Sequence, residues 1–187
     1  MALPVFLATW CVAMAAMMLP SELPLFRLEY ATSRSGLRTA VLAAGYLAVW
    51  LALAGPVWLA DELLGGRVLG MHGDAATAAV LGAAALYQLT PLKRRCLHVC
   101  RAPLARILHG WRDGLGGAAL MGVQNGLWCV GCCAGLTAAL LTLGMMNVGW
   151  MIVVALAIFV EKTTRIGILA SRAGAAALVI GAVAWTI

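Results

Sequence analysis

Charge is scarce in this sequence. Only 11% of its 187 residues are Asp, Glu, Lys or Arg, while 64% are hydrophobic. An ordinary soluble domain carries roughly 25% charged residues. With a mean hydropathy of +0.97, the composition predicts an integral membrane protein. No G-x-x-x-x-G-K-S/T segment is present, so the chain encodes no ATP-driven pump. The first apolar run starts at Leu3 with neither a basic leader nor an A-x-A cleavage site, and it is expected as a retained span. Histidine is rare too: the three present all fall in loops or helix boundaries. That argues against haem, although axial Met or Cys leaves haem open. The six cysteines do not resemble the disulfide framework of a small secreted domain. A chain of this size leaves no room for a separate soluble module.

Apolar runs and their breakers predict an all-α, polytopic bundle of about six spans, forming a single domain over residues 1–187. The expected spans are 3–19, 37–59, 75–92, 115–143, 145–160 and 166–187, with an interfacial helix at about 104–112. Pro20 is expected to end the first span, Gly55-Pro56 to kink the second, and Pro91 to bend the last turn of the third. Between the first two spans, Ser21 to Gly36 reads as a short solvated loop carrying Glu22, Arg27, Glu29 and Arg34. The fourth run has 29 residues, about 43 Å of straight helix against roughly 30 Å of hydrocarbon. It must tilt, break or overshoot. Its Gly122-x-x-x-Gly126 and Gly131-x-x-x-Gly135 pairs permit close helix approach. Gln124 and Asn125 need partners at that depth.

The net charge of +6 might point to nucleic acid, but its distribution fits the positive-inside rule better. Twelve of the thirteen basic residues fall in the loops after spans one, three and five, counting Arg38 and Arg172 at adjoining helix ends. The exception is Arg67. This places those loops in the cytoplasm and both termini outside it, as in a multi-pass protein of the bacterial inner membrane. The expected partners are the bilayer, with other membrane subunits or a metallochaperone, and no nucleic acid.

The chemistry gathers in the fourth run. Cys129, Cys132 and Cys133 follow the i, i+3, i+4 rule, so three thiols share one helix face. Thiolates are soft ligands that select Cu(I), zinc or iron–sulfur clusters. Cysteine is also a small, well-buried hydrophobe, and packing alone is the competing reading. In the first run, Cys11, Met14 and Met18 form a stripe with Met17 beside it. Thioethers suit Cu(I), and Met equally serves as a core gap-filler. Cys96 and Cys100, with His98 between them, resemble half a metal site in a basic boundary segment. On a regular helix His98 points away from the two thiols. The flanking Lys93, Arg94, Arg95 and Arg101 would make an exposed pair reactive. Met71, His72 and Asp74 form a weaker surface possibility, and Glu161 is either a buried carboxylate or half of a boundary pair with Lys162.

Several motifs recur in a fixed order: Ala16-Met17-Met18-Leu19-Pro20-Ser21; Pro91-Leu92-Lys93 with Cys96-Leu97 and Cys100-Arg101-Ala102-Pro103; Gly126-x-x-Cys129-x-Gly131-Cys132-Cys133; Gly144-Met145-Met146-Asn147 with Trp150-Met151; and Glu161-Lys162. Across nearly its whole length the chain resembles the bacterial "predicted metal-binding integral membrane protein" family, a domain of unknown function. That family usually carries an aromatic and a Met after the double Cys, where this chain has Ala134 and Thr137. The resemblance implies metal binding in the membrane.

Three functions follow. The first is a copper-handling membrane protein, acting in transport or delivery through a ladder of Cys and Met that ends at Met145, Met146 and Met151. Copper leads because thioethers lie near the thiols and carboxylates are lacking at that depth, with zinc and iron left open. The second is a thiol oxidoreductase relaying electrons between the Cys96/Cys100 pair and the intramembrane cysteines. The third is a structural subunit of a larger membrane assembly. No catalytic residue stands out, which favours a non-enzyme.

Overall fold

The computed structural model describes residues 3–63, 75–144, 147–164 and 167–184. Among them are eight α-helices and no strand, so the chain is all-α. The helices are α1 (Leu3–Ser33), α2 (Gly36–Leu63), α3 (Ala75–Leu89), α4 (Pro91–Cys100), α5 (Pro103–Gly110), α6 (Gly114–Gly144), α7 (Val148–Thr163) and α8 (Gly167–Ala184). Three of them, α1, α2 and α6, are long and apolar enough to cross a membrane, and the bent pair α3–α4 would make a fourth. The chain divides into two compact units, Met1–Trp58 with His98–Val130 and Leu59–Leu97 with Gly131–Ile187. Residues Arg67, Met71, His72, Asp74, Met145, Met146 and Arg165, with the expectations placed on them, lie outside the described residues.

In the first unit, α1 does not stop at Pro20. It continues through Pro20 and Pro24 to Ser33, turning the expected solvated loop into helix. A proline removes one backbone donor, and a long apolar helix tolerates this when hydroxyls and neighbouring groups take up the freed carbonyls. Between the two prolines, Ser21 Oγ turns back on its own helix and donates to the Met18 carbonyl at 2.8 Å, a carbonyl that neither proline frees. The helix ends where Arg34 adopts a left-handed φ of 54°, and α2 begins two residues later.

Glu22 and Glu29, expected in solvent, are buried. Arg38 Nε donates to Glu29 at 2.8 Å, and Thr39 Oγ1 donates to the other carboxylate oxygen. The same guanidinium donates to the carbonyls of Arg112 at 2.6 Å and Gly114 at 3.2 Å. It also lies 4.1 Å from the centre of the Trp111 ring. Arg38 therefore ties the α1–α2 turn to the start of α6, and a planar guanidinium suits that many-sided task. Beneath it, Leu25, Leu42, Ile107, Ala118 and Met121 form the core, with α5 contributing Ile107. A short helix, α5, thus covers most of the segment 104–112, with Leu104 and Leu108 exposed.

The contact between α2 and α6 depends on missing side chains. A Cβ at Gly122 would meet the Leu42 carbonyl, one at Gly45 the Ala119 carbonyl, and one at Gly126 would lie 2.9 Å from Val49 Cβ. Backbone therefore rests on backbone, as the small-residue spacing predicts.

In the second unit, α3 lies against α8. Leu81 and Ala84 of α3 and Ala139 of α6 form a core covered by Leu143, Leu178 and Ala182. The third predicted span is broken: α3 and α4 meet at 65°. Pro91 cannot continue α3 because it lacks an N–H and crowds the preceding turn. It starts α4 instead, a position where proline is favoured. Thr90 caps the new helix, its Oγ1 accepting from Lys93 N at 3.3 Å. The segment expected as a basic boundary loop is therefore regular helix. Asn147 caps α7, its Oδ1 accepting from the N–H groups of Gly149 at 2.9 Å and Trp150 at 3.3 Å.

Gly122→Ala should push α2 from α6 and cost about 1–3 kcal/mol of stability, as overpacking typically does. Gly116→Ala, where a Cβ meets nothing within 4 Å, should be neutral or slightly stabilising. Thermal unfolding of the two proteins in detergent, followed by helical circular dichroism, tests the difference. Equal midpoints would mean that the α2–α6 backbone contact carries no weight.

Candidate metal centre

The centre is built on one helix. A straight α-helix presents i, i+3 and i+4 on one side, and α6 has no charged residue to draw that side toward water. Cys129, Cys132 and Cys133 are all buried, and their sulfurs lie within 4.8 Å of one another. The Cys132 and Cys133 sulfurs are 3.3 Å apart. This spacing suits one soft ion shared by three thiolates. The donor set contains no carboxylate or imidazole, which favours a thiophilic metal.

In the first unit, the Tyr46 hydroxyl of α2 lies 3.0 Å from Cys129 Sγ. It is placed there by the same close α2–α6 approach, since Gly126 leaves room for the Tyr46 backbone. One helical turn earlier, Asn125 Nδ2 donates to Glu22 Oε2 at 2.8 Å. Arg106 Nη2 approaches the same carboxylate oxygen at 3.8 Å. Asn125 thus finds a buried partner, whereas Gln124 is exposed.

The remaining predicted ligands fall in several places. Met14, Met17 and Met18 are buried along α1, and Cys11 is half-buried. Cys11 stands outside the group of three thiols. Cys96 and Cys100, expected to be exposed, are buried, and His98 between them faces outward. The reason is the regular geometry of α4, which turns i and i+4 inward together and i+2 away. The Cys100 carbonyl accepts from Arg106 at 3.1 Å. Met151 is half-buried.

Glu161 is buried and pairs with Lys93 at 2.7 Å, not with its sequence neighbour Lys162. Gln88 completes the group, donating to Glu161 at 3.4 Å and accepting from the Lys93 ammonium. Ser171 of α8 donates to the Gln88 carbonyl at 3.3 Å. The group joins α3, α4, α7 and α8. It was missed because Gln88 and Lys93 flank a proline that reads as a helix end. Tyr46 was missed as well, since a single Tyr in an apolar run signals only packing.

Glu161→Gln leaves the Lys93 ammonium buried without a counter-charge and should cost about 3–5 kcal/mol. The double variant Lys93→Met/Glu161→Leu should recover most of that loss, because two apolar side chains leave no charge uncompensated. Denaturation of the three proteins in matched detergent tests this. A Glu161→Gln protein as stable as the parent would remove the pair from the fold's support.

Comparison with curated proteins and with solved structures finds no match. Among family profiles, one described as "PpoB2: Copper chaperone" matches residues 7–185. The match takes in all eight helices and agrees with the metal-handling character expected from the motifs. With a buried three-thiol cluster inside the matched span, the chain belongs to the PpoB2 copper chaperone family.

Proposed function

We propose that the protein is an integral membrane copper carrier that holds Cu(I) at Cys129, Cys132 and Cys133 and passes it on. The observation that carries this reading is the convergence of three buried sulfurs within 4.8 Å on an uncharged helix. Three thiols in apolar surroundings stay protonated unless a cation offsets the charge of their thiolates. A soft ion such as Cu(I) matches a donor set made only of sulfur. Each thiol that binds gives up its proton, so loading releases protons to solution.

The Tyr46 hydroxyl sits where it can donate to the Cys129 thiolate, and such charge-assisted bonds are stronger than neutral ones. Met14, Met17 and Met18 supply thioethers on the buried face of α1, and one of them or Cys11 would complete the shell when the ion moves. Weak supplementary ligands suit a carrier, which must bind well enough to load and loosely enough to release. The proposed topology is six spans with both termini outside the cytoplasm of a bacterial inner membrane. It rests on the one-sided Lys and Arg distribution. A soluble metallochaperone or a copper-requiring membrane or exported protein would be the giver or receiver. The electron-relay reading loses its exposed entry, because Cys96 and Cys100 are buried.

Purified protein in detergent should bind one Cu(I), read by elemental analysis and competition with bathocuproine. Cys132→Ser should lose most of it with the fold intact. Tyr46→Phe should keep the stoichiometry and weaken affinity by about 10–100-fold, the usual scale for a group that supports a ligand. Met14→Leu should weaken retention more mildly. A Cys129→Ser/Cys132→Ser/Cys133→Ser protein with full copper content would end this reading. For topology, reporter fusions after Trp185 and within 33–36 should report opposite compartments, and a shared compartment would overturn the orientation.

A further inference from the structure

We propose that Cys96 is a ligand of the same copper site, reaching Cys132 and Cys133 through the gap left by Gly131, so that two helices build the site. This rests on the reading that the α6 cysteines hold Cu(I). A Cβ added at Gly131 would lie 2.6 Å from Cys96 Sγ and 3.4 Å from Cys96 Cβ. The Cys96 sulfur therefore occupies the space that a side chain at position 131 would fill, one residue from Cys132. Cys96 is only 4% exposed. Within the second unit, the Cys96 sulfur thus lies against the turn of α6 that carries Cys132 and Cys133, while standing outside the group of three thiols itself.

The surroundings hold this arrangement in place. Tyr87 of α3 donates to the Gly131 carbonyl, and a Cβ at Gly135 would lie 3.2 Å from the Tyr87 ring. Lys93, three residues before Cys96, is tied to Glu161 at 2.7 Å. That ion pair sets the rotation of α4, and with it the face on which Cys96 lies. Cys100 lies one turn further along α4, where its carbonyl accepts from Arg106.

A fourth thiol has a chemical use, because Cu(I) is commonly satisfied by two or three thiolates. Cys96 then serves as the exchanging ligand. A bond from its sulfur to copper forms as one α6 sulfur–copper bond breaks. The proton Cys96 gives up is taken by the thiolate that leaves, and copper stays Cu(I) throughout. A carrier needs such a step, since an ion moves between ligands without ever being bare.

The test uses the full chain in detergent, loaded with one Cu(I) and challenged with bathocuproine. Cys96→Ser should lower affinity at least about tenfold or change the rate of copper withdrawal by a similar factor. Gly131→Ala, which displaces the Cys96 sulfur without removing a thiol, should reproduce the Cys96→Ser effect. In a variant that retains only Cys96 and Cys132, dibromobimane should bridge the two sulfurs, a readout that needs no copper. Absence of the bridged product overturns the proposal. So does a Cys96→Ser protein with parental affinity and withdrawal rate, when the Cys129/Cys132/Cys133 triple variant has lost its copper. If the triple variant keeps its copper, the parent reading fails and takes this one with it.

Discussion

The missing side chains along α6 are the constraint from which the site follows. Gly122 and Gly126 let α2 come to backbone contact, and Gly131 and Gly135 admit a thiol and an aromatic ring of the second unit. Small residues at such positions let helices approach to backbone contact. A larger residue at any of these positions would move the neighbours whose groups face the thiols. At Gly126 the group at stake is the Tyr46 hydroxyl. At Gly131 it is the Cys96 sulfur.

Buried charge supplies the second level of organisation. Each unit has its own device: Glu29–Arg38 with the Arg112 and Gly114 carbonyls in one, and Lys93–Glu161 with Gln88 in the other. Buried ion pairs add little net stability, since desolvation offsets most of the attraction. They are costly to break, however, so they penalise any helix rotation that separates the partners. For a site whose ligands sit on helix faces, rotational register matters more than total stability. Arg38 fixes the α1–α2 turn against the start of α6, and Lys93 fixes α4 against α7.

The three clustered α6 thiols are donors of the kind that would suit a soft ion. No carboxylate or imidazole joins the three α6 thiols among the described residues. One turn before Cys129, Asn125 holds the Glu22 carboxylate. An apolar shell with one phenol donor favours the metal-bound form of the thiols over isolated thiolates. Membership of a copper chaperone family fits this chemistry.

What the sequence determined by itself was everything that depends on local spacing. The apolar runs make helices, the i, i+3, i+4 cysteines share a face, and the small-residue pairs mark where helices touch. These are properties of a few consecutive residues under one backbone geometry. Tertiary structure decided the rest. Pro20 and Pro24 read as a stop, yet α1 passes through them, because proline's cost depends on what neighbouring groups do with the freed carbonyls. Glu161 lies beside Lys162 in sequence but pairs with Lys93, and Cys96 read as part of an exposed basic loop but is buried beside Gly131. For Glu161 and Cys96 the partner lies on another helix, tens of residues away. No spacing rule encodes which faces of two helices will meet; packing of the whole chain settles it.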